Sequence, residues 1–229
     1  MPRLLELFSG TKSVSRVGKT LGWETLSLDI CPRHGPDLCM DILEFDQTQY
    51  SKSYFDFIWA SPDCRAYSVA RKNAKIPQDE AMTASDRLVA KTQQIIDYFG
   101  CAYCLENPAN SRLWKREVAA GLCAHCELHR LRSHCELRVT PLNVVTSYCS
   151  FGYPYRKNTK LANNFGLILP VCPGKNLCPQ MFGSKHIEHA QRGSGGAVPR
   201  DHTTDELHTI PQGLIREIFR QLNAGGHGA

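Results

Sequence analysis

The chain has 229 residues, eleven of them cysteine, and a formal net charge of +5. This length suits one α/β domain with an elaboration. No run of eighteen apolar residues occurs, and the N-terminus lacks a signal-peptide core, so we expect an intracellular protein that is neither secreted nor membrane-bound. In that setting the cysteines favour metal binding or catalysis over a disulfide framework. The excess of basic over acidic residues is compatible with a polyanionic partner but does not require one.

Strands and helices alternate through the first hundred residues, which predicts a parallel, doubly wound sheet. Ser13 is the predicted N-cap of the first helix. The predicted strands cover 4–8, 24–30, 55–60 and 101–105, with a short strand before residue 41, and the predicted helices cover 14–21 and 85–99.

The second half is organised differently. Residues 109–140 are basic and rich in Cys and His, whereas predicted strands at 144–149 and 160–165 restore the α/β pattern. A loop-rich stretch follows, and a last amphipathic helix is predicted at 211–222. We therefore divide the chain into an α/β core at 1–108, a basic Cys/His-rich insert at 109–140, the completion of the core at 141–223 and a flexible tail at 224–229.

Polar residues stand where the predicted parallel strands end. The turn at 9–13 offers backbone N–H groups and a helix N-terminus suited to a carboxylate or phosphate. Asp29 ends the second strand, Asp41 follows the third, Cys64 follows the fourth and Glu106 ends the fifth. Because the carboxyl ends of parallel strands share one edge of a sheet, we expect these side chains to gather there. A thiol beside a carboxylate favours a nucleophile with an acid–base partner.

Six segments, in this order, resemble the motifs of DNA (cytosine-5)-methyltransferases, in particular the compact branch of bacteriophages and large DNA viruses. The segments are LELFSGTKS at 5–13, ASPDCRAYS at 60–68, LENP at 105–108, SYCSFGYPYRK at 147–157, QRG at 191–193 and IPQGLI at 210–215. The resemblance covers nearly the whole chain apart from 109–140. It implies a Rossmann-like, mostly parallel doubly wound sheet of the S-adenosylmethionine-dependent methyltransferase type, with a small Cys/His-rich insert.

The resemblance also implies roles for single residues. Cys64 would add to carbon 6 of a flipped-out cytosine, Glu106 would hydrogen-bond ring nitrogen 3, and Arg156 would contact the base or its phosphate. S-adenosylmethionine would be the methyl donor. The residues implied around it are Phe8, Ser9, Gly10, Thr11, Asp29, Ile30, Asp41, Ile42 and Pro62.

Two departures from the family pattern keep other functions open. Asp63 stands where a proline usually precedes the nucleophile, and its carboxylate should raise the thiol pKa unless it points outward or pairs with Arg65 or Arg156. The basic motif that usually cradles the target is only approximated by residues 155–160. The alternatives are an RNA (tRNA) cytosine-5 methyltransferase and a catalytically inactive nucleic-acid-binding homologue.

Two Cys/His clusters compete as metal sites. We predict structural zinc at Cys149, Cys172 and Cys178 with His186 as the fourth ligand, His189 being the alternative. The other cluster has zinc-knuckle spacing, although ordinary reduced thiols explain it too; it comprises Cys123, His125, Cys126 and His129, with His134 and Cys135 following. We expect double-stranded DNA as the partner, with RNA possible. Basic residues of 109–140 would contact its phosphates. We assume that the protein is a monomer.

Overall fold

A computed structural model describes residues 1–68, 76–120, 142–190 and 202–225. The strands are β1 (Arg3–Leu7), β2 (Glu24–Asp29), β3 (Leu38–Cys39), β4 (Phe57–Ala60), β5 (Ala102–Pro108), β6 (Leu142–Ser147), β7 (Asn158–Asn163), β8 (Met181–Phe182) and β9 (Lys185–His186). The α-helices are α1 (Ser13–Thr20), α2 (Gln78–Phe99), α3 (Glu117–Ala120), α4 (Thr204–His208) and α5 (Gln212–Gly225). Short 3₁₀ helices lie at Pro32–His34, Ile42–Glu44, Gln47–Gln49, Arg112–Lys115 and Tyr148–Phe151.

One seven-stranded sheet organises the molecule, in the order β3-β2-β1-β4-β5-β7-β6. The pairs from β3 to β5 are parallel, whereas β7 runs antiparallel to both of its neighbours. Strand order reverses between β1 and β4, and ligands of open α/β sheets bind at the carboxyl edge beside such a reversal. The predicted mostly parallel, doubly wound sheet is confirmed.

Side chains of alternate residues in the central strands pack into two separate hydrophobic cores, one on each face of the sheet. In β1, Leu5 and Leu7 point toward the core that α2 covers, whereas Leu4 points toward the core beneath α1 and α5. These leucines have no exposed surface. Burial on both faces fixes the strand register, and this determines which side chains reach the carboxyl edge.

Glu6, rather than Ser13, caps the N-terminus of α1. The Glu6 carboxylate lies on the α1 face of β1 and accepts the N–H groups of Val14 (3.2 Å) and Ser15 (2.8 Å). The Ser13 hydroxyl instead accepts the N–H of Ile210 at 3.2 Å. The predicted Ser13 cap is therefore wrong, because a buried carboxylate from a neighbouring element supplies the acceptor.

Several elements extend beyond their predicted bounds. The helix expected at 85–99 begins at Gln78, since Met82 is the one large apolar side chain in its first two turns and gives no periodic pattern. The strand expected to end at residue 105 continues to Pro108, because Pro108 still pairs with Thr159 of β7. The part of the 109–140 insert beyond residue 120 lies outside the described residues, as does the tail after 225. Within the described ranges, the helices are too short or too polar to span a bilayer.

Candidate active site

The turn after β1 is tied firmly to the end of β2. Phe8, Gly10 and Lys12 all have φ near +50°, a backbone conformation that L side chains adopt at a cost. The Gly10 N–H donates to Asp29 Oδ2 at 2.8 Å, and Asp29 Oδ1 accepts the N–H of Cys31 at 2.8 Å. Asp29 and Glu6 accept the N–H groups of Gly10, Val14 and Ser15, so an anion at this turn would have to bind through other groups. The anion site stays a prediction.

The residues predicted to hold a nucleoside cofactor follow neighbouring strands at the carboxyl edge of the sheet. Ser9 is buried, and its Oγ has no hydrogen-bond partner among the described residues, so an acceptor or donor is still required there. Ile30 is 68% exposed at the end of β2, which leaves an apolar platform beside Asp29. Asp41 caps the 3₁₀ helix of Ile42 by accepting the Leu43 N–H at 2.9 Å. This combination of an orphan hydroxyl, carboxylates and an apolar platform fits a nucleoside sulfonium.

The side chain of Ile42 belongs to the α2-side core, where it is 3% exposed. It could therefore contact a cofactor only through its backbone. Pro62 lies at the opposite side of the same edge, and its carbonyl accepts the side-chain amide of Asn107 at 2.8 Å. This hydrogen bond, which sequence reasoning missed, ties the loop after β4 to the end of β5.

Cys64 lies on that loop, half-buried and with a free thiol. The loop is fixed downstream by Tyr67, a fully buried residue whose hydroxyl donates to Asp86 of α2 at 2.9 Å. Gln78 adds a hydrogen bond to the carbonyl of Ser68 at 3.0 Å. The loop that carries the thiol is therefore anchored on both sides of Cys64, as a positioned nucleophile requires.

The charges around Cys64 act in opposite directions on its thiol. Burial raises the pKa of Cys64 above its ordinary value, the negative charges of Glu106 and Asp63 raise it further, and Lys157 lowers it. Asp63 itself is paired with Arg65, whose terminal nitrogen lies 2.7 Å from Asp63 Oδ2. Although burial opposes ionisation, hydrogen bonds from Arg65 keep the pKa of Asp63 below its ordinary value. The predicted pairing of Asp63 with Arg65 is present. Burial and the charge of Glu106 nevertheless raise the pKa of Cys64 more than Asp63 does.

Glu106 lies at the end of β5, 8% exposed, beside the fourth strand that leads to Cys64. Thr159 of β7 donates its hydroxyl to Glu106 Oε1 and also to the carbonyl of Asn107 at 3.2 Å. The hydroxyl therefore fixes one carboxyl oxygen of Glu106. The antiparallel pairing of β5 with β7 creates this contact, and no local signal in the sequence indicates it.

A cleft of about 550 Å³ opens over Cys64. Its walls come from the end of β5, the segment before β7 and the end of α4, and they include Cys64, Arg156, Lys157, His189 and Leu207. Arg156 is exposed at this wall, so the predicted basic residue does face the cleft that contains the thiol.

Lys157 is the cation that sequence reasoning passed over in favour of Arg156. Its ammonium donates to the carbonyl of Leu207 at 2.7 Å and lies 4.7 Å from the ring centre of Tyr148. These contacts hold it at the cleft, where its positive charge favours ionisation of Cys64.

The predicted metal ligands come together in one group. The donor atoms of Cys149, Cys172, Cys178 and His186 all lie within 4.8 Å of one another. The Nε2 atom of His186 is 3.5 Å from the Cys172 sulfur and 3.7 Å from the Cys178 sulfur. Ligands of tetrahedral zinc lie about 3.6 Å apart when metal–ligand bonds have their usual lengths. The group, with His186 rather than His189, is therefore compatible with zinc; the cluster at 123–135 lies outside the described residues.

The sheet order defines the class of fold. It is the Rossmann-like, doubly wound class that the sequence resemblance implied, a seven-stranded sheet with one antiparallel strand and helices on both faces.

The sequence is similar to that of a viral protein. The chain is 28% identical over 234 residues to the "Probable DNA (cytosine-5)-methyltransferase" of Frog virus 3 (isolate Goorha), a match that covers 95% of this chain and 98% of the relative. The predicted resemblance to DNA (cytosine-5)-methyltransferases of large DNA viruses is thus confirmed. No protein-family profile matches the chain.

Solved structures show more distant similarity. The S. pombe Dnmt2 methyltransferase matches with a TM-score of 0.46 and 14% identity, over 73% of this chain and 51% of that one. A Spodoptera frugiperda DNMT2 mutant matches with a TM-score of 0.44 and 16% identity, over 74% of this chain and 52% of that one. The chain spans about half the length of these structures.

Proposed function

We propose that this chain is an S-adenosylmethionine-dependent DNA (cytosine-5)-methyltransferase. One observation carries the proposal: Cys64, which lines a cleft with Arg156 and Lys157, follows β4, and Glu106 lies near the carboxyl end of the neighbouring strand β5. The name of the Frog virus 3 relative, which is similar over nearly its full length, supports the same reaction.

Carbon 5 of cytosine is a poor nucleophile because the ring is aromatic. In the proposed reaction the Cys64 thiolate forms a bond to carbon 6, and the electron pair of the 5,6 double bond moves into the ring, which makes carbon 5 electron-rich. Glu106 holds a proton at ring nitrogen 3 and offsets the negative charge that develops there. Thr159 would occupy Oε1 of Glu106, which leaves Oε2 for this contact.

S-adenosylmethionine, when bound, supplies the electrophilic methyl group that carbon 5 accepts. Loss of the carbon-5 proton and departure of Cys64 then restore the aromatic ring. Ser9 would hydrogen-bond the donor through its orphan hydroxyl, Asp29 would accept from ribose hydroxyls with its remaining lone pairs, and Ile30 would pack against the adenine. The backbone near Asp41 and Pro62 would complete this surface.

The target base would have to leave the duplex to reach the thiol, because Cys64 is half-buried and lines a cleft. A volume of about 550 Å³ is within the range of small-ligand sites. Arg156 and Lys157 would neutralise the phosphate or the base oxygen of the flipped nucleotide.

We propose Zn²⁺ as the occupant of the Cys149, Cys172, Cys178 and His186 group. Three thiolates and an imidazole form a closed donor set, as in structural zinc sites, with no position left for catalysis. The metal would fasten the 172–186 segment against the 3₁₀ helix Tyr148–Phe151 and so support the cleft wall that continues to His189.

The test is transfer of a labelled methyl group from S-adenosylmethionine to duplex DNA or to tRNA, by wild type, Cys64→Ala and the matched control Cys101→Ala. Cys101 is also a half-buried free cysteine, but it lies at the opposite edge of the sheet, before β5. We expect transfer to DNA by wild type and the control and none by Cys64→Ala. Transfer to tRNA alone would move the reaction to RNA. Transfer to neither, with cofactor binding intact, would indicate an inactive homologue.

A further inference from the structure

The carboxylate of Asp86, on α2, binds two segments of the chain at once. Its Oδ1 atom accepts the hydroxyl of Tyr67 at 2.9 Å. Its Oδ2 atom accepts two nitrogens of the Arg116 guanidinium, Nε at 2.9 Å and one terminal nitrogen. Tyr67 belongs to residues 61–68, here named the nucleophile loop, and Arg116 belongs to residues 109–120, here named the insert root. One side chain therefore joins two segments that are distant in sequence.

These hydrogen bonds form in a largely shielded setting. Tyr67 has no exposed surface, and the side chains of Asp86 and Arg116 are 21% and 34% exposed. Burial and the hydrogen bond to Asp86 raise the pKa of Tyr67 above its ordinary value, so its hydroxyl keeps its proton and remains a donor at neutral pH. A carboxylate that accepts from a guanidinium fork allows few other geometries. The network therefore fixes the relative position of its members.

Backbone hydrogen bonds continue this network to the nucleophile. The N–H of Arg112, in the insert root, donates to the carbonyl of Tyr67 at 3.0 Å. The N–H of Tyr67 donates to the carbonyl of Cys64 at 3.1 Å. The root is itself attached to the sheet, because the indole N–H of Trp114 donates to the carbonyl of Pro108 at 2.8 Å. A displacement of the root or of Tyr67 would therefore reach Cys64.

Both segments line the cleft in which the reaction is proposed. Cys64 and Ser68 come from the nucleophile loop, and Asn110 and Ser111 come from the insert root. A base in the cleft would contact the root while Cys64 approaches it from the loop. Bond formation requires the reacting atoms to come within about 3–3.5 Å, and an error of about 1 Å can slow a reaction a hundredfold. The spacing between loop and root therefore bears directly on the rate.

We infer that Asp86 is a positioning residue for the proposed methyl transfer, which fixes the nucleophile loop against the insert root through Tyr67 and Arg116. It thereby sets the distance between the Cys64 sulfur and carbon 6 of a base in the cleft. The inference rests on the proposed function, because Cys64 has to act as a nucleophile for its position to matter.

The experiment measures covalent trapping of the full-length protein by a duplex that contains 5-fluorocytosine, with S-adenosylmethionine present. The final amount of adduct counts the competent sites, and the rate of its formation reports how well Cys64 is placed. The variants are Tyr67→Phe, which removes only the hydroxyl, Arg116→Gln, and the two combined. KM for DNA and kcat are measured on ordinary duplex with the same proteins.

Two substitutions serve as matched controls. Tyr103→Phe removes the hydroxyl of another buried tyrosine in the α2-side core, one that has no hydrogen-bond partner among the described residues. Arg220→Gln breaks a comparable guanidinium–carboxylate pair, because Arg220 donates to Glu217 of α5 through Nε at 2.8 Å and through a terminal nitrogen. Both controls should trap at the wild-type rate.

Each single change at Tyr67 or Arg116 should slow trapping and lower kcat about tenfold, with a full amount of adduct and KM for DNA within twofold of wild type. The double variant should be no slower than the slower single variant, because either change already breaks the connection through Asp86. Independent effects would multiply to about a hundredfold. A merely structural role would reduce the amount of adduct rather than its rate of formation.

The outcomes separate this inference from the proposed function. Wild-type trapping rates in the variants, multiplying effects in the double variant, or a loss of adduct at an unchanged rate would each overturn the inference alone, provided that wild type methylates DNA. A wild type that neither is trapped nor methylates DNA would overturn the proposed function and the inference with it. If Arg116→Gln folds poorly, as judged by circular dichroism, the rate of Tyr67→Phe against that of Tyr103→Phe decides the matter.

Discussion

Glu6 makes the stability of this protein depend on pH in a direction opposite to that of most carboxylates. Burial raises the pKa of Glu6 from 4.5 to about 7, although hydrogen bonds from Ser15 and Val14 oppose the change. Between these values the folded chain holds the Glu6 proton and the unfolded chain has released it, so the free energy of unfolding falls as pH rises. At about 1.4 kcal/mol for each tenfold difference in proton affinity, the loss reaches about 3 kcal/mol at pH 7 and above.

The change Glu6→Gln removes the titrating proton while keeping a side-chain oxygen for the N-terminus of α1. We expect the free energy of unfolding of the variant, minus that of wild type, to increase by about 3 kcal/mol between pH 4.5 and pH 7.5. Urea unfolding at a series of pH values measures both terms, with equal m values as the check on two-state behaviour. The control Glu24→Gln alters net charge at an exposed site on β2. A difference that stays constant with pH for Glu6→Gln would refute the reasoning.

Three further predictions concern the site. Lys157→Gln should shift the pH profile of kcat/KM toward higher pH and Asp63→Asn toward lower pH, because the two side chains act on the Cys64 thiol with opposite signs; shifts in the same direction would contradict this. Asn107→Ala should lower kcat about tenfold or more with little change in cofactor affinity, because the loop carrying the nucleophile loses its anchor to β5; an unchanged kcat would contradict the anchor. His186→Ala should lose one equivalent of zinc by elemental analysis and lower Tm by about 5 °C or more; full zinc retention would contradict the ligand assignment.

The sequence was sufficient to predict the edge of the sheet at which the chemistry is proposed. Cys64 and Glu106 could be placed together because Cys64 follows one buried strand and Glu106 lies near the carboxyl end of the next, and the carboxyl ends of parallel strands share an edge. The metal-binding group could be predicted from cysteine and histidine spacing in a loop-rich stretch, where a metal can replace a hydrophobic core.

The contacts that complete the site depend on register and on distant pairs. Thr159 reaches Glu106 only because β7 inserts antiparallel between β5 and β6, and nothing near Thr159 in the chain indicates that pairing. Lys157 is oriented by a carbonyl fifty residues away, that of Leu207. The Ser13 cap was predicted wrongly for the same reason, since the acceptor that replaces it comes from β1. Propensity and local pattern describe neighbours in the chain, whereas these contacts join separate elements.

The central claim is that Cys64 forms a covalent bond to carbon 6 of cytosine. A DNA duplex that contains 5-fluorocytosine tests it, because fluorine at carbon 5 cannot leave as a proton does and the enzyme should stay attached. With S-adenosylmethionine present, wild type should form a denaturation-resistant protein–DNA adduct whose peptide attachment maps to Cys64, and Cys64→Ala should form none. An adduct that persists in Cys64→Ala, or methyl transfer by a wild type that is never trapped, would contradict the account.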